Sequence, residues 1–323
     1  MAEPDTRPEV VAIGGMADWM LAELQTQYRV HDLAAATDRA ALLAQASHAR
    51  AAVTTGAVGI DAATVQQLPR LAMLACFGTG YDKVDRVALG ERGIRLSNTP
   101  GVVATCVADH AMGLLIALVR RIAHADRLAH AGVWGKQVIG LTTRVSGKRL
   151  GILGLGDIGT RIAQRAAGFD MPIGYHNRHQ RPELAHAYFA SAVALAHWAD
   201  YLVVACPGGA ATRHLVDAPV LEALGPHGVL VNIARGSVVD EPALAAALAA
   251  GRLGGAALDV FENEPGIPVA LTGLDNVVLT PHIAGSTQET WREAFDLMCA
   301  NLAAFLAGEP LPTPVLSDRP VLQ

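Results

Sequence analysis

The chain has 323 residues, 51% of them hydrophobic and 17% charged, with 25 Lys and Arg against 30 Asp and Glu. That is too apolar for a disordered chain, ample for sizeable cores, and long enough for two domains. A net charge of −5 argues against a general binder of nucleic acid or anionic membrane, and the longest apolar run, Ala111 to Val119, falls well short of the roughly 20 residues that a spanning helix needs. The first residues are acidic and carry proline, without the basic start and long apolar stretch of a secretory signal. Cys76, Cys106, Cys206 and Cys299 form no CxxC pair and sit in apolar segments. They read as buried, reduced thiols of a cytoplasmic protein, with no metal site.

In chain order, strands are expected at Val10–Gly14, Tyr28–Leu33, Arg50–Thr54, Leu71–Cys76 and Gly93–Ser97, with helices at Ala17–Leu24, Ala40–Ala46 and Asp61–Leu68 between them. A turn cluster, Asn98-Thr-Pro-Gly101, closes this series, and one long helical pattern follows from about Val103 to Ala131. A second series places strands at Arg149–Leu153, Met171–Tyr175, Tyr201–Cys206, Val229–Ile233, Gly255–Val260 and Val277–Leu279. Asp240 caps one of its helices, with Pro242 in the first turn and Gly251 past the end. Ser286 and Glu289 have capping-box spacing and would open the last helix, to about Leu306. Alternating strands and helices mean an α/β protein of two lobes, each an open parallel sheet with helices on both faces.

The second series opens with Leu153-Gly154-Leu-Gly156-Asp-Ile-Gly159, a G-x-G-x-x-G between a strand and a helix. Gly154 suits the tight turn, Gly156 lets the backbone approach a pyrophosphate at the helix N-terminus, and Gly159 allows close helix–sheet packing. Sites for NAD carry an acidic residue about 20 positions further on. No carboxylate lies between Asp170 and Glu183; Asn177 and Arg178 stand there, with Arg181 near. A guanidinium suits a 2′-phosphate, so the pattern favours NADP(H) over NAD(H), which stays open.

Three polar residues sit where apolar strands end: Arg235 after Leu230-Val-Asn-Ile-Ala234, Glu264 in Asp259-Val-Phe-Glu-Asn-Glu264, and His282 in Leu279-Thr-Pro-His282. Ligands bind at the carboxyl ends of parallel strands. An Arg there grips a carboxylate, and a His paired with a carboxylate delivers a proton to a carbonyl oxygen, a constellation suited to reducing a 2-keto acid.

The segments Leu153–Gly159, Asn232–Gly236, Asp259–Pro265 and Thr280–Gly285, with Phe77–Asp82 and Asn98–Val102, resemble the D-isomer-specific 2-hydroxyacid dehydrogenase family over about residues 50 to 315. Within it, Leu141–Lys148 and the Asn177-Arg178 pair are most similar to glyoxylate/hydroxypyruvate and hydroxyphenylpyruvate reductases. The resemblance implies a Rossmann-type dinucleotide-binding domain over residues 100–286 and a flavodoxin-like substrate domain from residues 1–99 and 287–323. It implies that Arg235 binds the substrate carboxylate, that His282 is the proton donor, and that Glu264 hydrogen-bonds it. Backbone groups of Gly78, Thr79 and Gly80 would meet the substrate carboxylate. Asp259 would contact the nicotinamide carboxamide. Leu155, Asp157 and Ile158, Cys206, Pro207 and Thr212, Ile233, Ala234 and Arg235, and His282, Ala284 and Gly285 would border the cofactor. A homodimer, joined through the cofactor domain and the helix near residues 103–130, is the family's usual state.

Two positions depart from the family pattern. Asp109 stands where Glu is frequent, and Trp291 stands where a smaller or basic residue is expected. Trp291 either faces the substrate and favours a bulkier one or packs as a helix residue between the lobes. The family also includes phosphoglycerate, formate and phosphite dehydrogenases and non-catalytic corepressors that bind a dinucleotide. The intact Arg235, Glu264 and His282 favour an enzyme, and the missing acidic residue counts against a phosphoglycerate dehydrogenase, which usually prefers NAD.

Overall fold

Alternate residues of the early strands divide between two apolar cores, the period-2 signature of a sheet covered on both faces. Val10, Ala12, Val53, Met73 and Ala75 join one core, while Val11, Ile13, Ala52, Leu74 and Cys76 join the other. The computed structural model describes residues 5–136 and 138–315. It divides the chain into two compact units, Met1–Val103 with Thr287–Gln323, and Ala104–Ser286.

The first unit holds β1 (Glu9–Ala12), β2 (Arg29–Asp32), β3 (Ala51–Thr55), β4 (Met73–Phe77) and β5 (Arg95–Ser97) in one parallel sheet of order β2-β1-β3-β4-β5. This is the flavodoxin-like order. Helices α1 (Asp18–Gln27), α2 (Arg39–Gln45), α3 (Ala62–Gln66) and α4 (Arg86–Glu91) connect the strands. The last helix of the chain, α12 (Gln288–Ala307), packs on β4 and puts Phe295, Met298, Leu302 and Phe305 into the core of β1, β3 and β4. Burying side chains of that size contributes about 1.5–3 kcal/mol each, which is what returns the C-terminal segment to the first unit.

The second unit holds α5 (Ala104–Val119), α6 (Ile122–His130), β6 (Leu150–Leu153), α7 (Asp157–Ala167), β7 (Ile173–His176), β8 (Ala187–Tyr188), α8 (Ala192–Trp198) and β9 (Tyr201–Val204). It continues through α9 (Ala218–Leu224), β10 (Val229–Asn232), α10 (Glu241–Ala249), β11 (Gly255–Leu258), α11 (Val269–Thr272) and β12 (Val277–Leu279). The order β12-β11-β10-β9-β6-β7-β8 is parallel throughout and reverses direction at β6/β9, the Rossmann arrangement with its ligand crevice at that switch point. Helix α5 lies on α7 and across β10, β11 and β12.

Local chemistry explains most helix starts. Asp38, Asp61, Asp85, Ser191, Asp217 and Asp240 each accept a hydrogen bond from the backbone N–H three residues on. The expected long helix is two: Arg121 adopts a left-handed conformation (φ 52°) that separates α5 from α6. Nothing in the local sequence breaks a helix there, and the division falls where the buried α5 gives way to α6, which buries no residue. The expected capping box is also displaced by one residue: Thr287 is the cap, accepting from the Thr290 N–H, and α12 begins at Gln288. The short α4 and the two-residue β8 carry too little periodicity to be read from sequence. Among the described residues no helix is long and apolar enough to cross a membrane, and no group of His, Cys, Asp and Glu is arranged to hold a metal.

Candidate active site

The glycine loop joins β6 to α7. Gly154 takes φ 99°, and a Cβ there would stand 2.5 Å from the Cys206 N; a Cβ at Gly159 would stand 2.2 Å from the Gly154 oxygen. Both glycines are required by close backbone approach. Gly156 is different: a Cβ would meet nothing within 4 Å, so the space beside it is open, and α7 starts at Gly156 with no side-chain cap on its first turn. Open space in front of uncapped N–H groups of an eleven-residue helix is what a pyrophosphate needs, and these residues fit a dinucleotide. Leu155 is buried, Ile158 half-buried, and Asp157 is ion-paired with Arg161 at 2.9 Å. Cys206 lies against Gly154, its thiol pushed up to about 11 by burial. The Thr212 hydroxyl donates to the Pro207 oxygen at 2.8 Å, closing the turn after β9.

At the end of β7, the Leu155 N–H donates to Asn177 Oδ1 at 2.7 Å. One lone pair of the amide oxygen is thereby taken by the glycine loop, and the NH2 of Asn177 makes no hydrogen bond with a described residue. Arg178 is exposed, and its guanidinium makes no hydrogen bond or ion pair with a described residue. Arg181 does not stand free: it donates to the Leu155 oxygen at 2.9 Å and pairs with Glu183 at 2.8 Å. These two bonds brace the glycine loop and leave Nη2 of Arg181 without a bond to a described residue.

Arg235 follows β10. The Asn232 amide donates to the Arg235 oxygen at 3.0 Å and accepts from the Ala234 N–H at 3.1 Å, fixing the turn; Ile233 and Ala234 are buried. Arg235 Nη1 donates to the Ala234 oxygen at 2.7 Å. A Cβ at Gly236 would stand 1.9 Å from the Phe261 carbonyl carbon and 2.1 Å from the Glu262 N, so the turn behind Arg235 runs directly on the segment that carries Glu264. There Glu264 Oε1 accepts from the Phe261 N–H at 3.0 Å and Oε2 meets His282 Nδ1 at 2.8 Å. His282 is half-exposed, and with Nδ1 held by the carboxylate its Nε2 is the nitrogen left to act on a ligand. It sits at φ 54°, a conformation that costs an ordinary residue about 1–2 kcal/mol. Its N–H donates to the Asp259 oxygen at 2.8 Å, which helps hold it there.

Asp259 is 1% exposed. Burial pushes its carboxyl up, and donors from His110, Thr280, Ile283 and Ala284 outweigh this and hold it below the usual range. Those donors tie both oxygens to the loop 280–285, which also contains Gly285, so Asp259 serves the loop first and not the carboxamide contact alone. In the other unit, the Gly78 N–H donates to Thr99 Oγ1 at 2.9 Å, while the N–H groups of Thr79 and Gly80 donate to no described residue. Two adjacent free amides are a ready anion site; Gly78 supports their turn. Trp291 packs edge-on against Phe77 at 5.6 Å and joins the first unit's core.

Residues 112–284 match the model of the D-isomer specific 2-hydroxyacid dehydrogenase NAD-binding domain. A hydroxyphenylpyruvate reductase of Plectranthus scutellarioides is 48% identical over 275 residues, 85% of this chain and 88% of that protein. This chain belongs to the D-isomer-specific 2-hydroxyacid dehydrogenase family. Glyoxylate/hydroxypyruvate reductase A of Arabidopsis thaliana is 45% identical over 302 residues, covering 93% of this chain and 96% of that one. The NADPH-dependent glyoxylate/hydroxypyruvate reductase of Sinorhizobium meliloti, solved with NADP and malonate, has a TM-score of 0.88 at 36% identity over 98% of each chain. The chain is therefore an oxidoreductase that takes a nicotinamide dinucleotide and reduces 2-keto acids.

One residue of this dehydrogenase, His110, lies outside the motifs. His110, on α5, meets Thr280 Oγ1 at 3.1 Å and Asp259 Oδ1 at 3.5 Å. His110 and Thr280 lie 170 positions apart in sequence, and only the packing of α5 across β11 and β12 brings them together. Asp109, the departure on the same helix, pairs its carboxylate with Arg165 of α7 at 2.5 Å.

Proposed function

We propose that this dehydrogenase reduces small 2-keto acids of the glyoxylate or hydroxypyruvate type to D-2-hydroxy acids, prefers NADP(H), and works as a homodimer. The observation that carries the reading is the His282–Glu264 pair at 2.8 Å, braced against the Arg235 turn through Gly236. Bound at the open N-terminus of α7, the dinucleotide supplies the hydride. Arg235 grips the substrate carboxylate and orients the carbonyl. His282 Nε2 gives a proton to the carbonyl oxygen, while Glu264 on Nδ1 keeps the ring oriented. Hydride on carbon and proton on oxygen complete the alcohol.

The preference for NADP(H) rests on chemistry at the end of β7. Asn177 and Arg178 stand where an NAD site carries a carboxylate: the Asn177 oxygen already accepts from the Leu155 N–H, and its NH2 and the Arg178 guanidinium make no bond with a described residue. Donors suit a phosphate. The names of the similar reductases support the substrate class. For the dimer, Trp134, Val138 and Leu141 are 92%, 93% and 106% exposed, an apolar segment that a second copy of the chain would cover.

A panel of glyoxylate, hydroxypyruvate, pyruvate and phenylpyruvate, each with NADPH and NADH, tests the proposal. NADPH with glyoxylate or hydroxypyruvate is expected to give the highest kcat/KM. His282→Gln should lower kcat by at least about a hundredfold, the range general acid catalysis supplies. Highest turnover on phenylpyruvate, or near wild-type kcat in the variant, would reject it.

A further inference from the structure

We infer that His110 is a positioning residue for the loop 280–285: through Thr280 it fixes the carboxylate of Asp259, and Asp259 in turn fixes the backbone of His282 and of the two residues that follow it. The inference rests on the reading of His282 as the proton donor.

Hydrogen-bond accounting gives each proton its place. Asp259 Oδ1 and Thr280 Oγ1 are 2.6 Å apart. An ionised carboxylate only accepts, so the single hydroxyl proton of Thr280 lies in that bond. The Thr280 oxygen is left with lone pairs toward His110 Nε2, 3.1 Å away, and Asp259 Oδ1 is the next atom in front of that nitrogen, at 3.5 Å. With acceptors alone facing it, Nε2 must carry the hydrogen. The chain of donation runs from His110 Nε2–H to Thr280, and from the Thr280 hydroxyl to Asp259.

The far end of the chain is the catalytic loop. Asp259 Oδ1 accepts from the Ile283 N–H and Oδ2 from the Ala284 N–H, both at 2.9 Å; the Asp259 backbone oxygen accepts from the His282 N–H at 2.8 Å. Three consecutive amides thus end on one residue, and the first belongs to His282 in its left-handed conformation. The two carboxylate bonds hold only in one rotamer of Asp259. Thr280 sets that rotamer, and His110 from α5 sets Thr280. Loosening the chain at His110 tilts the loop and displaces Nε2 of His282, an error felt where the proton moves and not where the substrate carboxylate binds.

Steady-state kinetics on His110→Leu, Thr280→Val and the double variant decide the matter. Each single change is expected to lower kcat about tenfold, the cost of one lost buried hydrogen bond, with the keto-acid KM changed less than about twofold. Because both residues act in one chain, the double variant should be no slower than the slower single. His110→Gln, which keeps a donor, should recover most of the loss. Multiplied losses of about a hundredfold in the double variant, a wild-type kcat in His110→Leu, or a Gln variant as slow as Leu would overturn the inference. Amide hydrogen exchange in the ligand-free protein provides a second readout. Ile283 and Ala284 should exchange about tenfold faster in both single variants, and unchanged exchange speaks against the chain. A wild-type protein that turns over no 2-keto acid would sink the proposed function instead, while exchange still tests the chain.

Discussion

Arg235 and Asn177 show how much of the chemistry is decided atom by atom. The guanidinium of Arg235 presents a planar fork that an ammonium cannot reproduce. Arg235→Lys is therefore expected to raise the keto-acid KM and lower kcat together, and an unaltered kcat/KM would contradict the carboxylate clamp. After β7, Arg178 is exposed and its guanidinium makes no bond with a described residue. Arg178→Ala should raise the NADPH KM about ten- to a hundredfold, as expected for one charged hydrogen bond of about 1.5–3 kcal/mol, and leave NADH kinetics nearly unchanged. Asn177→Asp keeps an oxygen for the Leu155 N–H and exchanges the outward donor for an acceptor. It should move preference toward NADH, read as the ratio of kcat/KM for the two cofactors; a wild-type protein that prefers NADH would reverse the argument.

Elements in this fold act by bringing loops onto one another. Gly236 is the clearest case, since the turn after β10 has no room for a side chain against Phe261 and Glu262. Gly236→Ala should destabilise the protein by about 1–3 kcal/mol, seen as a lower urea midpoint, and should impair turnover as well, because the same contact spaces Arg235 from Glu264. Gly90, inside α4, is the contrast: a Cβ there would have nothing within 4 Å. Gly90→Ala should stabilise by up to about 1 kcal/mol without touching kcat. Equal midpoints for the two variants would show that the close approach at Gly236 is not what constrains it.

For the whole molecule, two units of parallel sheet arise from a chain that leaves the first unit at residue 103 and re-enters it at residue 287. The exposed Trp134, Val138 and Leu141 belong to the second unit. Sedimentation equilibrium is expected to give a dimer, and Trp134→Glu with Leu141→Glu should shift it toward monomer. A wild-type monomer at all concentrations would remove the dimer from the proposal.

Short-range chemistry accounts for what can be read along the chain. Apolar runs bounded by turn residues marked the strands, acidic caps such as Asp240 marked helix starts, and Gly154, Gly156 and Gly159 marked the tight turn between β6 and α7, because these depend on neighbours within a few residues. Arg235, Glu264 and His282 could be singled out because each follows an apolar strand within a few residues, and loops at the carboxyl ends of parallel strands are where ligands bind; their pairing, His282 with Glu264, came from the fold. Features that depend on distant partners emerge only when the chain is folded. The break at Arg121 follows from where burial of α5 ends, and the engagement of Arg181 depends on the glycine loop and Glu183. The use of the Asn177 oxygen depends on an amide 22 positions away. His110 is one helix residue among many until α5 lies across β11 and β12 and sets its ring beside Thr280 and Asp259, because a hydrogen bond is set by distance in space and carries no mark in the chain.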